Sequence, residues 1–236
     1  MPRIIAFGDS IMRGIVLDKS QNSTKPRYTQ LDESFVSICS AQLGCEIKNY
    51  GSFGNTTLRA FNNLNRYKSE IEHSEYAIME FGGNDCDHHW AAIADDPSVE
   101  HHPFISIPQY AEQFEKLIKS VQQLGAKPIL LSLPPIIADA YFNSFTKDMS
   151  HTQRDNVLQW LNGCLENITQ WHDMYNLALF KLASDMRVKI IDITTPFWVK
   201  RDYRSLFCSD GIHPNASGHK LIAETICRHA DMLEAI

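Results

Sequence analysis

Five short apolar runs punctuate the chain: Arg3–Phe7, Glu46–Tyr50, Tyr76–Phe81, Pro128–Leu133 and Val188–Ile193. Near-continuous Ile, Val and Leu over so few residues predicts strands buried on both faces, as in a parallel sheet. Between them the apolar spacing turns helical. Glu33–Leu43 sets Phe35, Val36, Ile38, Cys39 and Leu43 on one side, and Pro108–Leu124 does the same with Tyr110, Phe114, Leu117, Ile118 and Val121. Thr152–Met186 keeps a period close to 3.6 through Leu158, Leu161, Leu165, Ile168, Trp171, Tyr175, Leu179 and Leu182, and predicts one long helix. Asn215–Leu233 closes the chain, with Asn215 as its N-cap and Leu221, Ile222, Thr225, Ile226 and Met232 facing inward. Strand–helix alternation of this kind predicts an α/β fold: a doubly wound sandwich around a five-stranded, mainly parallel sheet.

Two stretches break the pattern. Lys19–Thr29 is polar and reads as an exposed loop. Cys86–Ile107 is rich in His, Asp and Pro without clear periodicity, and a loop of that length inside a compact domain reads as a mobile rim of a binding site. No Gly/Ser linker or repeat divides the chain, so residues 1–236 read as one domain.

Composition narrows the class. With 236 residues, 44% hydrophobic and 21% charged, the chain falls in the ordinary globular range. A formal charge of −6 argues against a general nucleic-acid binder. No apolar run approaches the ~20 residues of a membrane span. Six Cys are too sparse for a disulfide scaffold, and no CxxC spacing occurs. Met1-Pro2-Arg3 leads straight into the first strand without a signal-peptide pattern, so the expected compartment is cytoplasmic, with reduced thiols.

Turn-forming or small polar residues follow the strand candidates: Gly8-Asp9-Ser10, Gly51–Thr56, Gly82-Gly83-Asn84-Asp85, Pro134-Pro135 and, beyond the fifth, Ser209–Pro214. Ligands of open parallel sheets bind outside the carboxyl ends of the strands, so these clusters should converge there. Singly, each has an ordinary reading as a helix cap or a turn. As an ordered set they resemble the SGNH (GDSL) hydrolase superfamily over nearly the whole chain. Gly8-Asp9-Ser10 matches its nucleophile block, Gly54 its glycine block, Gly82–Asp85 its GxND block and Asp210-Gly-Ile-His213 its DxxH block.

The resemblance implies the family's flavodoxin-like sandwich and an esterase or lipase-like activity without metal or cofactor. Serine needs an adjacent base to become a nucleophile, and His213 is the candidate base for Ser10. Asp210, three residues earlier, would orient the imidazole and stabilise its charged form. The resemblance assigns oxyanion binding to the backbone N–H groups of Ser10 and Gly54 and to the Asn84 amide. It implies small-molecule ester substrates: small acyl esters, often acetyl groups on carbohydrates, or lipid-like esters. Acyl transfer on the same triad and lysophospholipase-like hydrolysis of longer chains remain alternatives. Phe53, Trp90 and Ile212 are the candidate substrate contacts, with Phe104 beside Trp90 on the rim.

Other chemistries lack their motifs. Ser10 has no G-x-S-x-G elbow. No phosphate-loop, dinucleotide-binding or H-E-x-x-H pattern occurs. Asp85, Asp87, His88, His89, His101 and His102 crowd together, but adjacent His pairs diverge and the HxxxH spacing is absent, so no metal site is expected. Asp9 and Asp85 could be mistaken for a glycosidase pair. Their neighbours favour a different task, hydrogen-bonding the loops that hold Ser10 and Asn84.

Overall fold

The computed structural model describes residues 2–18 and 27–229. Its central sheet is formed by β1 (Ile4–Gly8), β4 (Ile47–Asn49), β5 (Tyr76–Glu80), β6 (Lys127–Leu131) and β7 (Lys189–Ile191), in the order β4-β1-β5-β6-β7. Every neighbouring pair is parallel. The sheet matches the expected five strands, each within two residues of its apolar run. The order places β1 at the centre of the first half, so the chain reverses its winding direction beside β1. That is where a crevice opens at the strand ends.

Strand alternation builds two cores. Ile5, Phe7, Ala77 and Met79 face α3 (Thr57–Arg66), α6 (Ile107–Gln123) and α9 (Glu166–Met186). Ile4, Ala6, Ile78, Ile129 and Leu131 face α2 (Phe35–Leu43) and α11 (Ala216–Arg228). The helices start where their sequences allow. Ser34 caps α2 through Ser37 N–H, Thr56 caps α3, and Ser106 with Gln109 closes a capping box on α6. Asn215 caps α11, its side chain accepting from Ser217 and Gly218 N–H, as expected. Met232 and Leu233 lie outside the described residues.

The structure departs from the expected pattern in three places. The long helix over Thr152–Met186 is two helices, α8 (His151–Trp160) and α9, because Asn162 and Gly163 adopt left-handed conformations at φ 55° and 70°. Apolar periodicity carries no information about such a break. In the stretch Lys19–Thr29, residues 19–26 lie outside the described residues, whereas β3 (Tyr28–Gln30) pairs antiparallel with β2 (Ile15–Leu17).

Third, Cys86–Ile107 is built rather than loose. It holds α5 (Trp90–Asp95) and returns to the end of β5, where Phe104 N–H donates to Asp87 C=O at 2.8 Å and Ile105 N–H to Asp85 C=O at 3.0 Å. Together with α7 (Ala138–Phe145), α8 and the start of α9, α5 forms a third apolar cluster above the sheet edge. The remaining short elements are α1 (Ser10–Arg13), α4 (Lys68–Glu72), α10 (Thr195–Trp198) and a 3₁₀ helix over Tyr203–Leu206. Among the described residues, no helix is long and apolar enough to cross a membrane.

Candidate active site

Ser10 opens α1 directly after β1. Asp9 caps that turn, its Oδ1 accepting Ile11 N–H at 2.8 Å. The Asp210–His213 segment arrives from the far end of the chain as a turn, not as the helical turn that the i, i+3 spacing suggests. Asp210 Oδ1 accepts the N–H groups of Ile212 and His213 at 3.2 and 3.1 Å, an Asx-type turn that here has a left-handed residue between. Gly211 supplies it at φ 77°, and a Cβ there would meet Ile137 O and Tyr141 N at 2.6 Å. Glycine therefore seats this turn against α7.

The result is a continuous hydrogen-bonded line. Asp210 Oδ2 lies 2.8 Å from His213 Nδ1, and His213 Nε2 lies 3.0 Å from Ser10 Oγ. All three residues are buried. Burial pushes the Asp210 carboxyl up, but its hydrogen bonds and the His213 charge outweigh this and hold it below the ordinary Asp value. An anionic Asp210 fixes Nδ1–H on the imidazole and leaves Nε2 to accept a proton from Ser10.

Asn84 and Gly54 approach from the next two loops. Asn84 Nδ2 donates one hydrogen to Asp9 Oδ2 at 3.0 Å, which leaves its second N–H for another acceptor. Gly54 takes a left-handed φ of 67°, and its loop is stitched to the end of β1, with Ser52 N–H and Asn55 Nδ2 both donating to Gly8 C=O. Asp85 accepts from Thr57 N–H at 3.0 Å and from the Thr57 hydroxyl, tying the Asn84 loop to the helix that follows Gly54. Burial raises the Asp85 carboxyl to about 6, partly opposed by these bonds.

Ser10, Asn84 and His213 line a cavity of about 70 Å³, walled mainly by Trp90, Ile136, Tyr141, Ile168, Trp171 and Ile212. Trp90 and Ile212 thus lie where substrate contacts were expected. Trp90 is 8% exposed, stacked on Phe145, with its indole N–H donating to Asp87 at 2.7 Å, so it is a fixed wall and not a mobile rim. Phe53 is not in this cavity. It is 53% exposed and stacks on His213, ring centroids 6.1 Å apart. Phe104 packs edge-on against His89, away from Trp90.

The histidines of the 86–107 segment separate. His88 is buried against Trp171, Trp160 and Trp90, and burial lowers its imidazole to about 4. His101 Nε2 lies 2.8 Å from Asp96 C=O. Among the described residues, no three His, Cys, Asp or Glu side chains converge as a metal site.

Sequence reasoning missed several residues of the site. Tyr28 packs on His213, and burial followed by the neighbouring Asp210 charge pushes its phenol up to about 12. Tyr141 donates to Asp87 at 2.7 Å in the cavity wall. Trp171 and Ile168 register in sequence only as the apolar side of a helix.

The fold and the serine–histidine–aspartate line define an SGNH-type α/β hydrolase architecture. The chain belongs to the GDSL-like lipase/acylhydrolase family, whose model matches residues 4–226. Among curated proteins it is 26% identical over 187 residues to the uncharacterized protein YpmR of Bacillus subtilis, covering 77% of this chain and 64% of that one. The chain thus spans less than two-thirds of that relative's length. Among solved structures it resembles an aryl esterase of M. smegmatis, with TM-score 0.64, 18% identity and coverage of 99% and 100% of the two chains. It also resembles Axe2, an acetylxylan esterase from Geobacillus stearothermophilus, with TM-score 0.59, 19% identity and coverage of 96% and 93%. At these identities the structures share the fold.

Proposed function

We propose that this chain, as one hydrolase domain over residues 1–236, is a serine esterase that hydrolyses small acyl esters through an acyl-enzyme. The observation carrying this reading is the line Asp210–His213–Ser10, with links of 2.8 and 3.0 Å, ending at an apolar cavity. Ser10 Oγ attacks the ester carbonyl as His213 Nε2 takes its proton, and Asp210 stabilises the resulting imidazolium. The developing oxyanion is held by the N–H groups of Ser10 and Gly54 and the free N–H of Asn84. His213 then protonates the departing alcohol, and water repeats the sequence on the acyl-serine.

The cavity beside Ser10 is lined mainly by apolar and aromatic side chains, which suits the acyl group of a small ester. We take the alcohol half to be a carbohydrate, in keeping with the acetylxylan esterase likeness.

Replacing Ser10 by Ala should abolish p-nitrophenyl acetate hydrolysis in the folded protein and prevent labelling by a fluorophosphonate. Retained hydrolysis contradicts the nucleophile. Transfer to an added sugar or alcohol that outcompetes hydrolysis converts the reading to an acyltransferase.

A further inference from the structure

Behind the nucleophile lies a buried acid that the serine mechanism leaves without a role. Glu80 is the last residue of β5 and pairs in register with Gly8, immediately before Asp9 and Ser10. It is 0% exposed, and neither carboxyl oxygen has a hydrogen-bond partner at ordinary geometry. The polar groups facing it are the Asp9 carboxyl and the backbone N–H groups of Asp9 and Met12. Tyr110 from α6 is the next titratable neighbour, and Asp85 and His213 act on the pair through Asp9.

Two carboxylates in contact in a dry site cannot both stay charged, so one holds a proton. Burial raises the Asp9 carboxyl too, but Asp9 has the donors an anion needs, Ile11 N–H at 2.8 Å and Asn84 Nδ2–H at 3.0 Å. Glu80 lacks comparable donors, and burial followed by the Asp9 charge drives its carboxyl well above the ordinary Glu range. The charge state of Asp9 matters because it determines which end of the Asn84 amide turns inward. An anionic Asp9 attracts the NH₂ group, whereas a neutral Asp9 would donate to the amide oxygen and turn it round.

We propose that Glu80 is a positioning residue: as a neutral carboxylic acid it donates a hydrogen bond to Asp9, keeps Asp9 anionic, and through Asp9 holds the Asn84 amide with its free N–H toward the oxyanion. This rests on the serine-esterase reading and adds to it a relay Glu80–Asp9–Asn84, separate from the Ser10–His213–Asp210 line.

The test is a double-mutant cycle on p-nitrophenyl acetate with Ser10 labelling run alongside. Glu80→Leu should lower kcat about 10- to 100-fold with KM within about threefold. In an Asn84→Ala background the same change should cost no more than about twofold, because the donor it positions is already gone. Glu80→Gln, whose amide still donates to Asp9, should keep kcat within about threefold of wild type. Equal losses from Glu80→Leu in both backgrounds overturn the relay, as does a Glu80→Gln variant as impaired as Leu. Should Glu80→Leu not fold, infrared spectra of wild type and Glu80→Gln decide. At pH about 8, where a free Glu is ionised, the wild type should show a carboxylic-acid carbonyl band that the Gln variant lacks. Identical spectra overturn the proposal. Activity retained by Ser10→Ala contradicts the esterase reading itself, whereas additivity with Ser10 labelled contradicts only the relay.

Discussion

The Tyr28 ring packs 5.2 Å from the His213 ring, centroid to centroid, and its hydroxyl faces Asp210. Phe53 packs tilted on Tyr28 at 5.4 Å and stacks on His213 at 6.1 Å, so two aromatic rings outside the cavity lining flank the imidazole. Such a flank keeps water off the Asp210–His213 hydrogen bond, which strengthens it. Tyr28→Phe retains the packing and removes the hydroxyl, and should lower kcat by about three- to tenfold. Tyr28→Ala removes both and should cost about tenfold or more. Steady-state kinetics with unchanged far-ultraviolet circular dichroism checks this; equal activity of both variants with wild type contradicts it.

Asn84 contributes through its amide alone. Asn84→Ala should reduce kcat by about 10²–10³ while KM changes little, the signature of an interaction made only in the transition state. A rise in KM at constant kcat would place Asn84 in ground-state binding instead.

The cavity wall beside Ser10 should set the acyl range. Ile168 is buried in that wall, and Ile168→Ala opens space at a cost of about 2–4 kcal/mol in stability. Across p-nitrophenyl esters from acetate to decanoate, the preferred chain should lengthen from acetyl toward butanoyl in this variant. An unchanged profile means the acyl group lies elsewhere.

Much of this site is legible in the amino-acid sequence. The five apolar runs become the five sheet strands because burial on both faces leaves a local imprint. Ser10, Gly54, Asn84 and the Asp210–His213 pair each follow a strand end, and parallel topology gathers such ends regardless of sequence separation. The cavity is not legible in the same way. Trp90, Tyr141, Ile168 and Trp171 come from helices whose apolar residues satisfy a core and a pocket wall equally well. Tyr28 is hidden because its strand is three residues long and lies beside a polar stretch. Glu80 reads in sequence as one polar residue at the end of an apolar run, and only the β1–β5 register places it against Asp9.

Buried histidine should make the protein acid-sensitive. His88 titrates at about 4 when folded and near ~6.5 when unfolded, so the unfolded chain binds the extra proton between those values. Stability from this residue is therefore full above pH ~6.5 and lost as pH falls toward ~4, by at most about 3 kcal/mol. Asp85, raised to about 6, acts oppositely: its ionisation costs stability as pH rises from ~3.8 through about 6. Urea unfolding should show a shallower acid decline for His88→Phe and a steeper one for Asp85→Asn than for wild type. Parallel pH profiles for all three contradict these assignments.

The acyl-enzyme itself is the most direct measure of the proposed chemistry. Protein mixed with excess p-nitrophenyl acetate, acid-quenched within the first turnovers and digested, should yield the Ser10 peptide carrying one acetyl group. The adduct should be absent from Ser10→Ala and accompanied by a burst of p-nitrophenol stoichiometric with enzyme if deacylation limits turnover. If acetate is released by folded wild-type enzyme while an acetyl group appears on another residue, or if Ser10→Ala turns over at the wild-type rate, Ser10 is not the nucleophile.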